Sequence, residues 1–337
     1  MQSSAIHRQP IREPAAWTAA DLGPDPKARL TRRLLPAELR AMDELLAATR
    51  SRSPWDVTSR DAAGLAGIAR DVRSALTDGA GMLLIEGVDR ARYSKDECER
   101  VFWAIGAFLG PATMQNPRGD RITHVKHDKD VPMGRGYRST AELTPHTDAY
   151  AILGLMCVER AEKGGLSRAT SALAMHNEIL ASRPELLEPL YRGTRYASSD
   201  ARDTPIGPTP APVPLFSLAD GKVSCFYSRQ NSTEAARQLG QPIDPAFEAA
   251  ADYFRALALD RRFMVEFMLE PGEMMFCNNY VLLHARTEFE NSERHNRDLL
   301  RLWLNCEPMR PVVPELHLFA KIYSDLYALR ARQAGGS

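Results

Sequence analysis

The chain has 337 residues, 44% hydrophobic and 26% charged, a composition that suits one large globular domain or two ordinary ones. Lys+Arg and Asp+Glu both number 43, so the formal net charge is zero and a protein that grips nucleic-acid phosphates is disfavoured. No apolar run approaches the roughly 18 residues of a membrane span, and MQSSAIHRQPIREPAAW holds no secretory segment, so a cytoplasmic location is expected.

Residues 1–30 are Pro-rich and read as an irregular arm across the surface. Helical spacing begins at PAELRAMDELLAATR, where Leu39, Met42, Leu45 and Leu46 share a face. A second helix is expected in DAAGLAGIARDVRSALTDG, stopped by Gly79, then a short buried strand in GMLLIEGV. SKDECERVFWAIGAFLG predicts a helix whose Ser94 and Glu97 have capping-box spacing. From residue 121 onward, strand-like runs separated by Gly, Pro and Asp turns dominate: RITHVKH, ILGLMCVE, VPLFSLADGKVSCFYS, RFMVEFMLEPGEMMFCNNYVLLHART and RDLLRLWLNC. The Asp-Gly pair in LADGKVS is a hairpin signal. A helix interrupts near SALAMHNEILASRPELLEPLY, where Ser182 and Glu185 again show capping spacing, and DTPIGPTPAPVP at 203–214 reads as a surface loop or lid.

These elements predict a mainly β fold with flanking helices, a jelly-roll or cupin-like barrel in a single domain spanning 1–337. Its parts are an N-terminal arm and helical layer at 1–80, a barrel core over about 80–310 and a C-terminal helix at 311–337. The five scattered cysteines form no C-x-x-C pair and are expected to be reduced and buried.

The chemistry starts in ELTPHTDAY. Side chains two apart on a strand point the same way, so His146 and Asp148 can reach one metal. His284, ending an apolar strand, is the candidate third ligand, completing a 2-His-1-carboxylate set that leaves positions open on Fe(II). In RDLLRLWLN one strand face carries Arg297, Leu299, Arg301 and Trp303, and the other Asp298, Leu300, Leu302 and Leu304. If the leucine face packs on helices, two arginines turn inward, where an unpaired charge is costly. A bound dicarboxylate is the economical partner; the alternative is an edge strand with both arginines in solvent.

Together, His146-Thr147-Asp148, KGGLS at 163–167, PGEMMFCNNYVLLHART at 271–287 and RDLLRLWL at 297–304 resemble the taurine dioxygenase family, Fe(II)- and 2-oxoglutarate-dependent oxygenases related to clavaminate synthase. The resemblance covers residues 80–310 and implies a double-stranded β-helix. It implies that His146, Asp148 and His284 bind iron, that Ser167 and Arg297 meet the distal carboxylate of 2-oxoglutarate, and that Arg301 faces an acidic group of the substrate. Thr170 and Ser171 compete with Ser167 for its role. Fe(II), 2-oxoglutarate and O2 are the implied cofactor and cosubstrates, with ascorbate in support. The implied reaction oxidises, foremost hydroxylates, an unactivated C–H bond with release of succinate and CO2; Asp148 argues against a halogenase. Tyr137, Arg138 and Glu142, just before the ligand strand, and Gln115 and Asn116 are candidate substrate contacts, whereas His124 and His127 read as surface or rim and Asn279 as a turn brace.

The expected partner is a small acid-bearing metabolite or amino acid, with neither nucleic acid nor membrane, and assembly into a homo-oligomer stays open. The main rival is a cupin-type zinc or manganese hydrolase or isomerase built on the same three ligands. A non-catalytic scaffold and a nucleic-acid demethylase are further alternatives.

Overall fold

The computed structural model describes residues 5–116, 118–127, 139–202, 204–306 and 309–334. Tyr137 and Arg138 lie outside the described residues. Chain order begins with α1 (Pro26–Leu30), β1 (Thr31–Arg33), α2 (Pro36–Thr49), α3 (Ala66–Thr77), β2 (Met82–Glu86), α4 (Lys95–Leu109), β3 (Ile122–Lys126), β4 (Leu143–His146) and β5 (Ile152–Glu159). It continues through β6 (Lys163–Gly164), β7 (Ser167–Ser171), α5 (Ala172–Ser182), α6 (Leu187–Arg192), β8 (Phe216–Ala219), β9 (Lys222–Cys225), α7 (Arg229–Leu239) and α8 (Pro245–Ala258). Last come β10 (Met264–Phe267), β11 (Met274–Asn278), β12 (Leu282–Arg286), β13 (Phe289–Glu290), β14 (Asp298–Leu304) and α9 (Leu318–Ala334).

Two sheets organise the chain. The larger has the order β1-β2-β11-β5-β14-β3 and the smaller β10-β7-β12-β4. Every pairing in them is antiparallel except β1 with β2. Helical residues outnumber strand residues among those described, so the fold is mixed rather than mainly β, and no ladder closes the two sheets into a barrel. β4, β7, β10 and β12 have only four or five residues each, and α5 to α8 occupy the connection from β7 to β10.

The leucine face of β14 packs on α4 as its alternation predicts. A Cβ on Gly106 of α4 would come 2.3 Å from Leu302 Cδ2, so helix and sheet are in contact there. α4 starts with the expected capping box, Ser94 N donating to Glu97 Oε2 at 2.8 Å and Glu97 N to Ser94 Oγ at 3.3 Å. The Asp-Gly turn joins β8 to β9, with Asp220 at φ 46° and Gly221 at φ 74°, the two positive angles such a tight hairpin requires.

Two local expectations change. Ser182 is the last residue of α5, its hydroxyl donating to Glu178 O, and the N-cap is Ser171, which accepts from Ala174 N at 3.0 Å. The N-terminal arm is anchored: Ile11 and Trp17 enter the main apolar cluster, and Glu13 pairs with Arg310 at 2.7 Å. Of the surface loop or lid expected at 203–214, the described residues 204–214 form a partly exposed loop, pinned by the Thr194–Val213 bridge and by Thr209 N to Tyr196 O at 2.8 Å. No described helix is long and apolar enough to cross a membrane.

Candidate active site

Register brings the candidate ligands together. β12 pairs with β4 so that His284 lies directly opposite His146, their ring centroids 4.3 Å apart. β4 ends at His146, so Asp148 sits in the turn beyond it and is held from three sides. Thr147 between the ligands is hooked to Tyr227, donating its N–H to Tyr227 O at 2.8 Å and accepting from Tyr227 N at 3.0 Å. Asp148 N donates to Asn279 Oδ1 at 3.3 Å, and Asn279 Nδ2 donates to Tyr150 O at 2.8 Å, so Asn279 braces the turn. Trp303 Nε1 donates to Asp148 Oδ2 at 2.7 Å.

One donor atom from each of His146, Asp148 and His284 lies within 4.8 Å of the others, close enough to hold a metal ion. His146 Nδ1 is 2.8 Å from Thr144 O; a carbonyl only accepts, so this nitrogen carries the proton and Nε2 keeps its lone pair. Burial, with His146 beside it, pushes the His284 imidazole down to about 3, so it stays neutral as a ligand must be. Its Nδ1 is buried with no hydrogen-bond partner among the described residues. Burial alone would push the Asp148 carboxyl up, but His284, Arg301, His146 and the Trp303 N–H outweigh it and hold the pKa below the ordinary value.

The pocket containing these groups lies between the two sheets. Leu153, Met275 and Leu299 come from the large sheet, and Ser167, His284 and Arg286 from the small one. Arg297 and Arg301 both line it, on the inward face of the β14 segment. Burial pushes the Arg297 guanidinium down to about 10, and its Nη1 is buried without a hydrogen-bond partner among the described residues. Leaving a charge so placed unpaired costs on the order of several kcal/mol, which an anionic ligand recovers. The glycines of KGGLS explain how it fits: Gly165, at φ 74°, would carry a Cβ 3.1 Å from Arg297 Nε. Ser167 is buried, lines the pocket and makes no side-chain hydrogen bond among the described residues. Its competitors are engaged elsewhere, Thr170 donating to Ala258 O at 3.0 Å and Ser171 to Ala15 O at 2.5 Å.

Other candidates fall outside the pocket. Gln115 is wholly buried; its amide donates to Arg121 O and Arg301 O, and its Oε1 accepts from Arg301 Nε at 2.8 Å and from Thr123 Oγ1 at 2.9 Å. With every polar atom so used, Gln115 positions Arg301 and does not meet a ligand. Glu142 is half exposed and paired with Arg168, itself held by Glu266 at 2.7 Å. Asn116 serves a turn with Asp120, and His124 pairs with Asp298 at 2.7 Å. Sequence reasoning missed Arg286, although it stands two residues beyond His284 on the same strand face. It also missed the polar end of the pocket, where Ser198, Asp200, Ser228 and Asn231 line the wall beside Phe319 and Tyr323 of α9. No spacing in the sequence links those loops to the ligand strand.

A family described as "Taurine catabolism dioxygenase TauD, TfdA family" matches residues 47–303. The chain belongs to this family. As a member it is an Fe(II)- and 2-oxoglutarate-dependent dioxygenase, and it carries the His-x-Asp…His set in one cluster. FR-33289 synthase of Streptomyces rubellomurinus (strain ATCC 31215) is 31% identical over 246 residues, 69% of this chain and 71% of that protein. Taurine hydroxylase-like protein SAT17 of Stachybotrys chartarum (strain CBS 109288 / IBT 7711) is 27% identical over 243 residues, 66% of this chain and 60% of the relative's own length. Among solved structures, asparagine oxygenase with Fe(II), 2S,3S-3-hydroxyasparagine and succinate has a TM-score of 0.67 at 18% identity, covering 82% of this chain and 93% of that one. The non-heme iron oxygenase OrfP with Fe, succinate and (3S)-hydroxy-L-Arg has a TM-score of 0.64 at 18% identity, covering 86% and 99%. These two likenesses concern the fold. Family membership removes the cupin-type zinc or manganese hydrolase as the working alternative.

Proposed function

We propose that this dioxygenase hydroxylates a small acid-bearing metabolite, an amino acid foremost, with His146, Asp148 and His284 holding Fe(II) and with Arg297 and Ser167 holding the distal carboxylate of 2-oxoglutarate. The observation that carries the reading is one pocket holding both a three-donor cluster and a desolvated, unpaired guanidinium. The donor set fits Fe(II): two neutral imidazoles and one carboxylate leave a net positive centre with open positions. When bound, the iron supplies oxygen activation coupled to decarboxylation of the 2-oxo acid.

The chain's own residues do the rest. Thr144 O fixes the His146 tautomer, Trp303 and Asn279 hold Asp148, and Arg301, set by Gln115 and packed 4.0 Å from the Trp303 ring centroid, faces the acidic group of the substrate. The apolar wall of Leu153, Leu299 and Met275 keeps bulk water from the reacting centre. An amino acid as substrate is supported by the fold shared with asparagine oxygenase and OrfP.

We read the two sheets as the halves of a double-stranded β-helix in a single domain. Successive strands β10, β11, β12 and β14 alternate between small and large sheet, and one apolar cluster runs from Ile11 to Ile322. A cytoplasmic location fits five buried, unpaired cysteines.

The test is a screen of amino acids and small acids for succinate release under Fe(II) and air, with mass analysis for the gain of one oxygen atom. Asp148→Ala should abolish substrate-stimulated turnover. Wild-type turnover by that variant would refute the ligand assignment.

A further inference from the structure

We infer that Arg286 is a second anchor for the distal carboxylate of the cosubstrate, acting with Arg297 and Ser167, and that this pair of guanidiniums selects a diacid over a 2-oxo monoacid; this rests on the 2-oxoglutarate reading above. β12 pairs with β7 so that Arg286 lies directly opposite Ser167. Arg297 comes in from the β14 side, and both guanidiniums lie against Phe289, their Cζ atoms 4.6 and 5.2 Å from its ring centroid. Ser167, Arg286 and Arg297 all line the pocket.

The orientation of Arg286 is preset. Its Nε donates to Thr287 O at 3.1 Å, and its Nη2 donates to Ser139 O at 3.0 Å and to Ala141 O. Those carbonyls occupy one edge of the guanidinium. Nη1, on the other edge, is buried with no hydrogen-bond partner among the described residues, as is Nη1 of Arg297. Arg286 is 4% exposed and Arg297 5%, and neither makes an ion pair with a described carboxylate. Two like charges held together in a dry wall, each with an unused N–H, call for one anion that takes both; a carboxylate has two oxygens to offer. The carbonyl contacts mean that little side-chain freedom is lost when that anion arrives. They also tie the anchor to residues 139–141, which lead directly into β4 and the ligand His146.

The experiment is anaerobic titration of the Fe(II)-loaded protein with 2-oxoglutarate and, separately, with pyruvate, which offers the same keto and carboxylate oxygens and no distal acid. Arg286→Gln should weaken 2-oxoglutarate binding about 10- to 100-fold, the loss of a charge-assisted hydrogen bond, and change pyruvate binding by less than about twofold. Arg286→Lys, which keeps charge and stem, should fall between wild type and Arg286→Gln for 2-oxoglutarate. The rise in melting temperature on adding 2-oxoglutarate should shrink in the same order. Equal weakening of both acids, or of neither, overturns the assignment. Wild-type protein that binds neither acid overturns the 2-oxoglutarate reading and this assignment with it, whereas selective loss for 2-oxoglutarate supports both.

Discussion

Trp303 joins two parts of the pocket that the sequence shows as separate. Its N–H reaches Asp148 Oδ2 at 2.7 Å while its ring carries the Arg301 guanidinium 4.0 Å from the centroid. A carboxylate ligand left to rotate would present either oxygen to a metal; the indole engages one and so orients the group. Trp303→Phe keeps an aromatic face for Arg301 and deletes only the donor. It should therefore weaken Fe(II) or Co(II) binding by about 10- to 100-fold, the usual cost of losing such an outer partner, as read by anaerobic metal titration. Unchanged metal affinity in that variant would show that Asn279 and the turn suffice to hold Asp148.

At the scale of elements, β14 is where sequence and structure agree most closely. Its two-residue alternation separates a leucine face against α4 from an arginine face in the pocket, and a one-residue slip would turn the arginines onto α4, so a single register is open to it. The ligand triad was legible for the same reason, since His146, Asp148 and His284 need only strand alternation and a facing partner. The partners of Glu142 and Gln115 are not legible, because polarity near a ligand strand does not say whether a group faces a pocket, an arginine or a backbone carbonyl. The strand-like runs of the barrel core are legible as strands, but they carry no record of how the two sheets join at their edges. Close packing across β5 makes its own prediction. Gly154 lies where an added Cβ would come 3.0 Å from both Phe102 Cζ and Phe276 Cε1, the first on α4 and the second on β11. Gly154→Ala should destabilise the protein by about 1–3 kcal/mol through overpacking, seen as a lower denaturant midpoint at unchanged slope. An unaltered midpoint would mean that both rings move aside without cost.

Across the whole molecule, the chain is tied end to end by Glu13. Its carboxylate takes Arg310 Nη1 at 2.8 Å and Nη2 at 2.7 Å, with Lys222 at 3.1 Å, so the arm before α1 is bound to the β8–β9 hairpin and to the segment leading into α9. Burial alone would raise this carboxyl, but the Arg310 and Lys222 contacts prevail and its pKa lies below the ordinary 4.5. A depressed acid contributes stability that is complete above its unfolded pKa and is lost as pH falls through the folded one. Asp298, lowered by His124 and Lys95 against its own burial, works in the same direction. His124 works in the opposite one: the hydrogen bond to Asp298 raises its pKa above 6.5, so its contribution is complete below 6.5 and fades as pH rises through the folded value. Stability from these three groups is therefore greatest between the carboxylate and imidazole ranges. Glu13→Gln should lower stability on that plateau by about 1.5–3 kcal/mol, the range for hydrogen bonds to a charged partner. Below pH 4.5 its stability should fall less steeply than that of wild type, because one carboxylate that must be protonated has been removed. Denaturant midpoints across pH 3 to 8 would decide it: parallel acid limbs for the two proteins would mean that the Glu13 clamp contributes nothing to the pH dependence.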